Sequence, residues 1–227
     1  MILLSTTLMS QTIPSSQRSK TAIKNLTPQL ETQFKQSGLQ FGNPIFIRIF
    51  KQEAALEIWI KKADGFKLFK TYPICTFGFG GLGPKLAEGD GKAPEGFYFV
   101  TAKQLNPYSS YHLSFNLGYP NAYDRAHSRT GSALMVHGNC VSVGCYAMTD
   151  AKIEEIYTIA NAAFTNGQDF FRVHVFPFKM NNKNMLKHKN SEWLGFWNNL
   201  KEGHDYFENN NHNPPNVLVT NKRYIFE

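Results

Sequence analysis

The sequence predicts a mainly β protein with α elements, on three observations. Three β-rich runs, 45–50, 55–60 and 66–70, follow one another closely, and Asp64-Gly65 between the last two is a hairpin signal. Short apolar runs recur downstream at 96–101, 111–115, 134–136 and 170–176. Clear helical spacing accompanies them at 150–164, where Ile153, Ile156, Tyr157, Ala160 and Phe164 share one face.

Taken in order, residues 1–43 read as a lead-in. Met1 to Met9 is apolar with threonine and serine, like the apolar centre of a short export signal lacking its charged start. Residues 10–40 are rich in Ser, Thr, Gln and Lys and predict a flexible tether with at most one short helix. Order is expected from Pro44, and the main domain spans 44–177. Its first three runs form an antiparallel meander. The segment 78–85, Gly-Phe-Gly-Gly-Leu-Gly-Pro-Lys, is a glycine-rich loop without the Gly-Lys-Ser/Thr ending of a phosphate cradle. Thr149 or Asp150 can cap the helix, with Glu154 and Glu155 near its positive end. Residues 178–227 form an extension packed on the domain. It contains one or two surface helices over 180–200, with Trp193, Phe196, Trp197 and Leu200 as the buried stripe. A terminal hairpin turns at Asn221-Lys222.

At 227 residues, 42% hydrophobic and 14% aromatic, the chain can bury a sizeable core, which excludes wholesale disorder. The net charge of +7 favours anionic partners. No basic stripe with interleaved aromatics points to nucleic acid, and no segment is apolar over a length that spans a bilayer. Three cysteines, Cys75, Cys140 and Cys145, leave at least one thiol unpaired.

That thiol matters because of the segment 136–146, Val-His-Gly-Asn-Cys-Val-Ser-Val-Gly-Cys-Tyr. A thiol nucleophile needs a base within hydrogen-bond reach and donors for an oxyanion. Cys145 and His137 supply nucleophile and base. Gly144 frees the backbone to turn amides toward a carbonyl, and Gly138 and Ser142 lie in the same loop. His137, Cys140 and Cys145 could also ligate zinc, but no Cys-x-x-Cys pair or second His/Cys cluster completes a site. No metal or other cofactor is expected.

His-Gly followed by Ser-x-Gly-Cys resembles the catalytic domain of the L,D-transpeptidase (YkuD) family. The strand entry 93–98, the glycine-rich 80–85, and the stretches 120–127 and 136–149 resemble its YafK-type branch. The likeness covers roughly residues 44–208. It implies an antiparallel β-sandwich or barrel-like catalytic domain, with one helix after the catalytic cysteine and helices on the C-terminal surface. It implies Cys145 as nucleophile, His137 as base, the Gly138 carbonyl orienting the imidazole, and amides near Gly144 and Cys145 holding the oxyanion. Arg125, Lys85 and Arg129 would hold substrate carboxylates, with Tyr123, Tyr119 and Ser142 beside them. The implied substrate is a peptidoglycan stem peptide in the periplasm, attacked at the meso-diaminopimelate carbonyl. Cleavage of a peptidoglycan–lipoprotein bond is the first reading. Cross-linking or lipoprotein attachment is the second, and a non-catalytic wall-binding module the third. The sequence departs from the family in a short His-to-Cys loop and in Tyr146-Ala147 after the cysteine.

Overall fold

The computed structural model describes residues 12–227; the apolar stretch at Met1–Met9 lies outside the described residues. The elements run α1 (Gln17–Gln36), β1 (Ile45–Phe50), β2 (Ala55–Lys61), β3 (Phe66–Pro73), β4 (Gly96–Thr101), β5 (Leu105–Asn106) and β6 (Ser114–Asn116). They continue with α2 (Ala122–Ala126), β7 (Met135–His137), β8 (Tyr146–Ala147), α3 (Asp150–Thr165) and β9 (Phe170–Phe176). The C-terminal part holds α4 (Asn182–Lys187), α5 (Leu194–Asn209), β10 (Val217–Thr220) and β11 (Arg223–Phe226).

The predicted meander forms one side of a five-stranded sheet in the order β3-β2-β1-β9-β4. Its hairpin closes between the Lys62 amide and the Gly65 carbonyl at 2.7 Å. A four-stranded sheet runs β5-β6-β7-β8, and β10-β11 is the predicted terminal hairpin. Pairing is mostly antiparallel, with β1–β9 and β7–β8 parallel. Both larger sheets are open, so the barrel-like alternative gives way to layered sheets and helices.

Strand alternation divides the interior in two. One face of the five-stranded sheet sends Ile47, Ile49, Leu56, Ile58, Val173 and Val175 into a core shared with the second sheet, α1 and α3. The other face carries Phe46, Trp59 and Phe97, covered by Phe207 of α5 and by Tyr224 and Phe226 of the hairpin. Helix α5 is therefore a layer of the molecule, rather than the surface helix that the stripe at 193–200 predicts. At Gly203 a side chain would collide with Phe226 and Phe97, so only glycine lets the helix come this close.

The lead-in also differs from expectation. Residues 17–36 form a 20-residue helix capped by Ser16. Ala22, Leu30 and Phe34 are buried against the core, with Ile23 and Leu26 packed beside them. Burial of that stripe outweighs the polar composition and Pro28.

Candidate active site

The four-stranded sheet builds the site. Strand β7 ends at His137 and runs parallel to β8, so the loop between them returns Cys145 to the same sheet edge. Gly138 follows His137, where an added Cβ would lie 2.6 Å from Asp150 Oδ1. At Gly144 an added Cβ would approach the Lys92 carbonyl to 3.1 Å. Gly144 thus sits in tight packing, and its φ is not in the left-handed region. Asn139 and Cys140 do adopt positive φ, at 65° and 52°. A disulfide from Cys140 to Cys75 fastens this strained turn to the segment after β3. That bond leaves Cys145 as the free thiol of the chain and removes Cys140 from any metal-ligand set.

Cys145 and His137 line one cleft of about 390 Å³. His137 is 3% exposed. Its Nδ1 lies 2.6 Å from the Gly138 carbonyl, which only accepts, so Nδ1 carries the proton and Nε2 is the acceptor of the neutral ring. Burial pushes the imidazole below its ordinary range, partly opposed by that carbonyl. Tyr111 packs its ring on His137 with centroids 4.7 Å apart. The Cys145 thiol donates toward the Ala133 carbonyl at 3.7 Å and accepts the Met135 N–H at 3.4 Å. Burial pushes the thiol up; the Met135 amide and the Lys85 charge pull it partly back. The resting site is therefore thiol and neutral imidazole.

Ser142 organises the loop. Its hydroxyl accepts from the Gly144 amide at 3.0 Å and the Cys145 amide at 2.7 Å, and donates to the Cys145 carbonyl at 2.7 Å. Both amides expected at the oxyanion are thus held by a side chain. Strand β8 separates Cys145 from α3 in the chain, and at the α3 N-terminus the Asp150 carboxylate accepts from the Asn139 amide at 2.7 Å.

The residues expected to bind substrate scatter. Lys85 reaches the cleft, but its ammonium is paired with Asp90 at 2.8 Å. Arg129 is buried against Asp124 at 2.7 Å. Tyr123 is stacked on Tyr224 at 4.2 Å, away from the cleft. Tyr119 is buried, its hydroxyl on the carbonyls of Lys85 and Thr130. Arg125 is exposed in a neighbouring depression. Carboxylates claim Lys85 and Arg129, an aromatic ring claims Tyr123, and backbone carbonyls claim Tyr119 and Arg125. Tyr111 is the contributor that sequence reading missed. The residues at 111–113 read as strand, but β6 starts at Ser114, and the preceding turn turns Tyr111 over the histidine.

Comparison with known proteins gives the family. A family model described as the L,D-transpeptidase catalytic domain (YkuD) matches residues 46–175. The chain belongs to that family. The L,D-transpeptidase match takes in both His137 and Cys145 and omits α1 and the C-terminal extension. A curated relative, "Putative L,D-transpeptidase YafK" of Escherichia coli (strain K12), is 46% identical over 199 residues, which is 88% of this chain and 79% of the relative. The same-named protein of Escherichia coli O157:H7 matches equally. Among solved structures, the helical cell shape determining protein Pgp2 from Campylobacter jejuni is similar at 21% identity and a TM-score of 0.49. That match covers 72% of this chain and 59% of Pgp2. In the K307A mutant of Pgp2 the chain spans 56% of that protein's length.

Among the described residues no helix is long and apolar enough to cross a membrane, and no group of three or more His, Cys, Asp or Glu side chains could hold a metal.

Proposed function

We propose that this L,D-transpeptidase-family enzyme works by cysteine acyl transfer at the meso-diaminopimelate carbonyl of peptidoglycan stem peptides, and that it chiefly releases polypeptide joined there. One observation carries the chemistry: the free thiol shares a cleft with an imidazole whose Nε2 is left as the proton acceptor. Cys145 Sγ bonds to the carbonyl carbon as its proton passes to His137 Nε2. The tetrahedral species collapses, the C–N bond breaks, and the imidazolium proton leaves on the amine. Water, deprotonated by the same nitrogen, opens the thioester and restores the thiol and a carboxylate. Rotation of the Ser142 hydroxyl off the Cys145 amide would free a donor for the oxyanion.

The short loop favours water over an acceptor amine. Beside the thiol it contributes exposed Val141 and Val143 and no charged side chain. Likeness to the YafK-type branch points the same way. The Cys75–Cys140 disulfide fits an oxidising compartment, consistent with the periplasm. The test is incubation with purified peptidoglycan carrying covalently bound protein, followed by mass analysis. Freed protein with diaminopimelate left as carboxylate is expected, and none with Cys145→Ala. A clear excess of new diaminopimelate–diaminopimelate cross-links would make the chain a cross-linking enzyme instead.

A further inference from the structure

The cleft does not end at the nucleophile. Ser132 and Ala133 wall it on one side, and the Ala133 carbonyl is the group that meets the Cys145 thiol. The same two residues wall a second depression of about 520 Å³, which contains Gln104, Asn116 and Arg125. The second depression shares Phe99 and Asn121 with a third, of about 400 Å³, between the outer end of β4–β9 and β10. The three depressions lie in a row leading away from Cys145, each sharing wall residues with the next, and together make up a groove.

The far end is apolar and uncovered. On the outer sheet face Phe97 pairs with His174, Phe99 with Arg172 and Thr101 with Phe170. The hairpin covers Phe97 but stops short of the other two rings. Phe99 is 58% exposed, Phe170 38%, and Leu218 across the groove 49%. The Phe99 and Phe170 rings touch at 5.7 Å, and the Arg172 guanidinium lies over Phe170. Contiguous exposed apolar surface of this kind marks an interaction site. The β4 edge offers no strand pairing here. Asn121 caps the Phe97 carbonyl at 2.9 Å, and Gln104 caps that of Phe99 at 3.3 Å. An occupant is therefore gripped through side chains. In the second and third depressions two guanidinium groups, Arg125 and Arg172, stand against one side-chain carboxylate, Glu227.

We propose that this groove binds the polypeptide attached to the scissile amine, as an acidic amphipathic segment whose apolar side chains rest on Phe99, Phe170 and Leu218. The assignment rests on the acyl-transfer reading above and names its substrate class: protein-bearing rather than free stem peptides. On this assignment the stem occupies the first depression and the attached polypeptide the other two. The groove also explains why Arg125 sits outside the cleft.

The test uses the full chain carrying Cys145→Ala, which binds without turnover. Two ligands are compared by calorimetry: a stem peptide closed at the diaminopimelate carbonyl by methylamine, and the same stem joined there to the lysine side chain of a short acidic amphipathic peptide. The attached peptide should raise affinity about tenfold or more, the worth of burying one or two large apolar side chains. Leu218→Glu and Phe99→Ser, added singly, should bring the ratio of the two affinities to about one. Leu186→Glu, at a residue 67% exposed on α4 and outside the groove, should leave the ratio as it was. A ratio near one in the parent, or a ratio unmoved by both groove variants, overturns the proposal. Failure of the acyl-transfer reading shows separately, as wild-type protein that binds both ligands and cleaves neither.

Discussion

A half-buried thiol whose charged neighbour, Lys85, is already paired with Asp90 keeps its proton. Burial dominates at Cys145 and pushes the thiol above its ordinary 9.0, while burial also pushes His137 below 6.5. In this order the site holds a neutral pair through neutral pH, and the proton moves only as the bond forms. Activity should therefore rise with pH through a value below 6.5, where the imidazolium gives up its proton, and then stay level toward 9. Iodoacetamide labelling of Cys145 should be slow at neutral pH and accelerate in alkali. Rapid labelling that persists in acid would reveal a preformed thiolate–imidazolium pair and sink this account. At this scale the pairing of His137 with Cys145 in one cleft was legible, because a strand end, two glycines and two cysteines fall within nine positions. The binding residues were not. Lys85, Arg129 and Tyr123 look available in a linear chain, and only the fold supplies Asp90, Asp124 and Tyr224 as their partners.

Helix α1 reaches the site without touching substrate. Arg18 Nη1 donates to the His112 carbonyl at 2.5 Å and to that of Ser109 at 3.1 Å. Ser16 Oγ donates to the Pro107 carbonyl at 2.9 Å, and Tyr108 donates to the Ser15 carbonyl at 2.8 Å. These bonds hold the turn whose Tyr111 lies on His137 and accepts the Gly138 amide at 3.0 Å. Arg18 is a positioning residue on this evidence. Arg18→Ala should lower kcat a few-fold while KM holds, because one charge-assisted bond is worth about 1.5–3 kcal/mol before solvent screening reduces it. The His137 titration, followed by NMR, should move up toward its ordinary value as the tyrosine cover loosens, and Arg18→Lys should restore part of both. An unchanged titration alongside unchanged kcat would remove α1 from the site. The helix escaped sequence reading because its apolar residues recur only every fourth position within a polar segment. The strands were legible because each has its own alternation and turn. The weak stripe of α1 means something only once α3 is there to meet it.

Across the whole molecule, one buried ion pair joins parts that are far apart in sequence. Lys51, at the end of β1, donates to Glu95 at 2.9 Å and to the carbonyls of Gly83 and Ala93. Glu95 also accepts from the Gly83 amide and from Trp197 of α5. The glycine-rich loop that reads as flexible is thus anchored at Gly83, two residues before Lys85 enters the cleft. Both side chains are fully buried. Lys51→Met should cost about 3–5 kcal/mol by stranding the carboxylate, a melting point lower by roughly 6–20 °C for a chain of this size. Adding Glu95→Gln should recover part of the loss, since the amide oxygen still accepts from one of the two donors, the Gly83 amide or the Trp197 indole, and no charge is left to desolvate. Equal losses for the single and double variants in equilibrium denaturation would deny the coupling. No spacing in the sequence pairs residue 51 with 95; only closure of the sheet against α5 does.

The bond between Cys75 and Cys140 has a consequence for how active protein is made. Its partners are 65 residues apart, whereas Cys145, the proposed nucleophile, lies only five positions beyond Cys140. In an unfolded chain the near pair meets more often, since the entropy of closing a loop grows with its length. Oxidation before β3 has docked would therefore trap the nucleophile in a dead cross-link. Each isomer retains one titratable thiol, so a thiol count cannot tell active from inactive preparations, and a peptide map of the cross-link can. Maturation of this chain is a question of timing: the sheet must form first, and the oxidant must come after it.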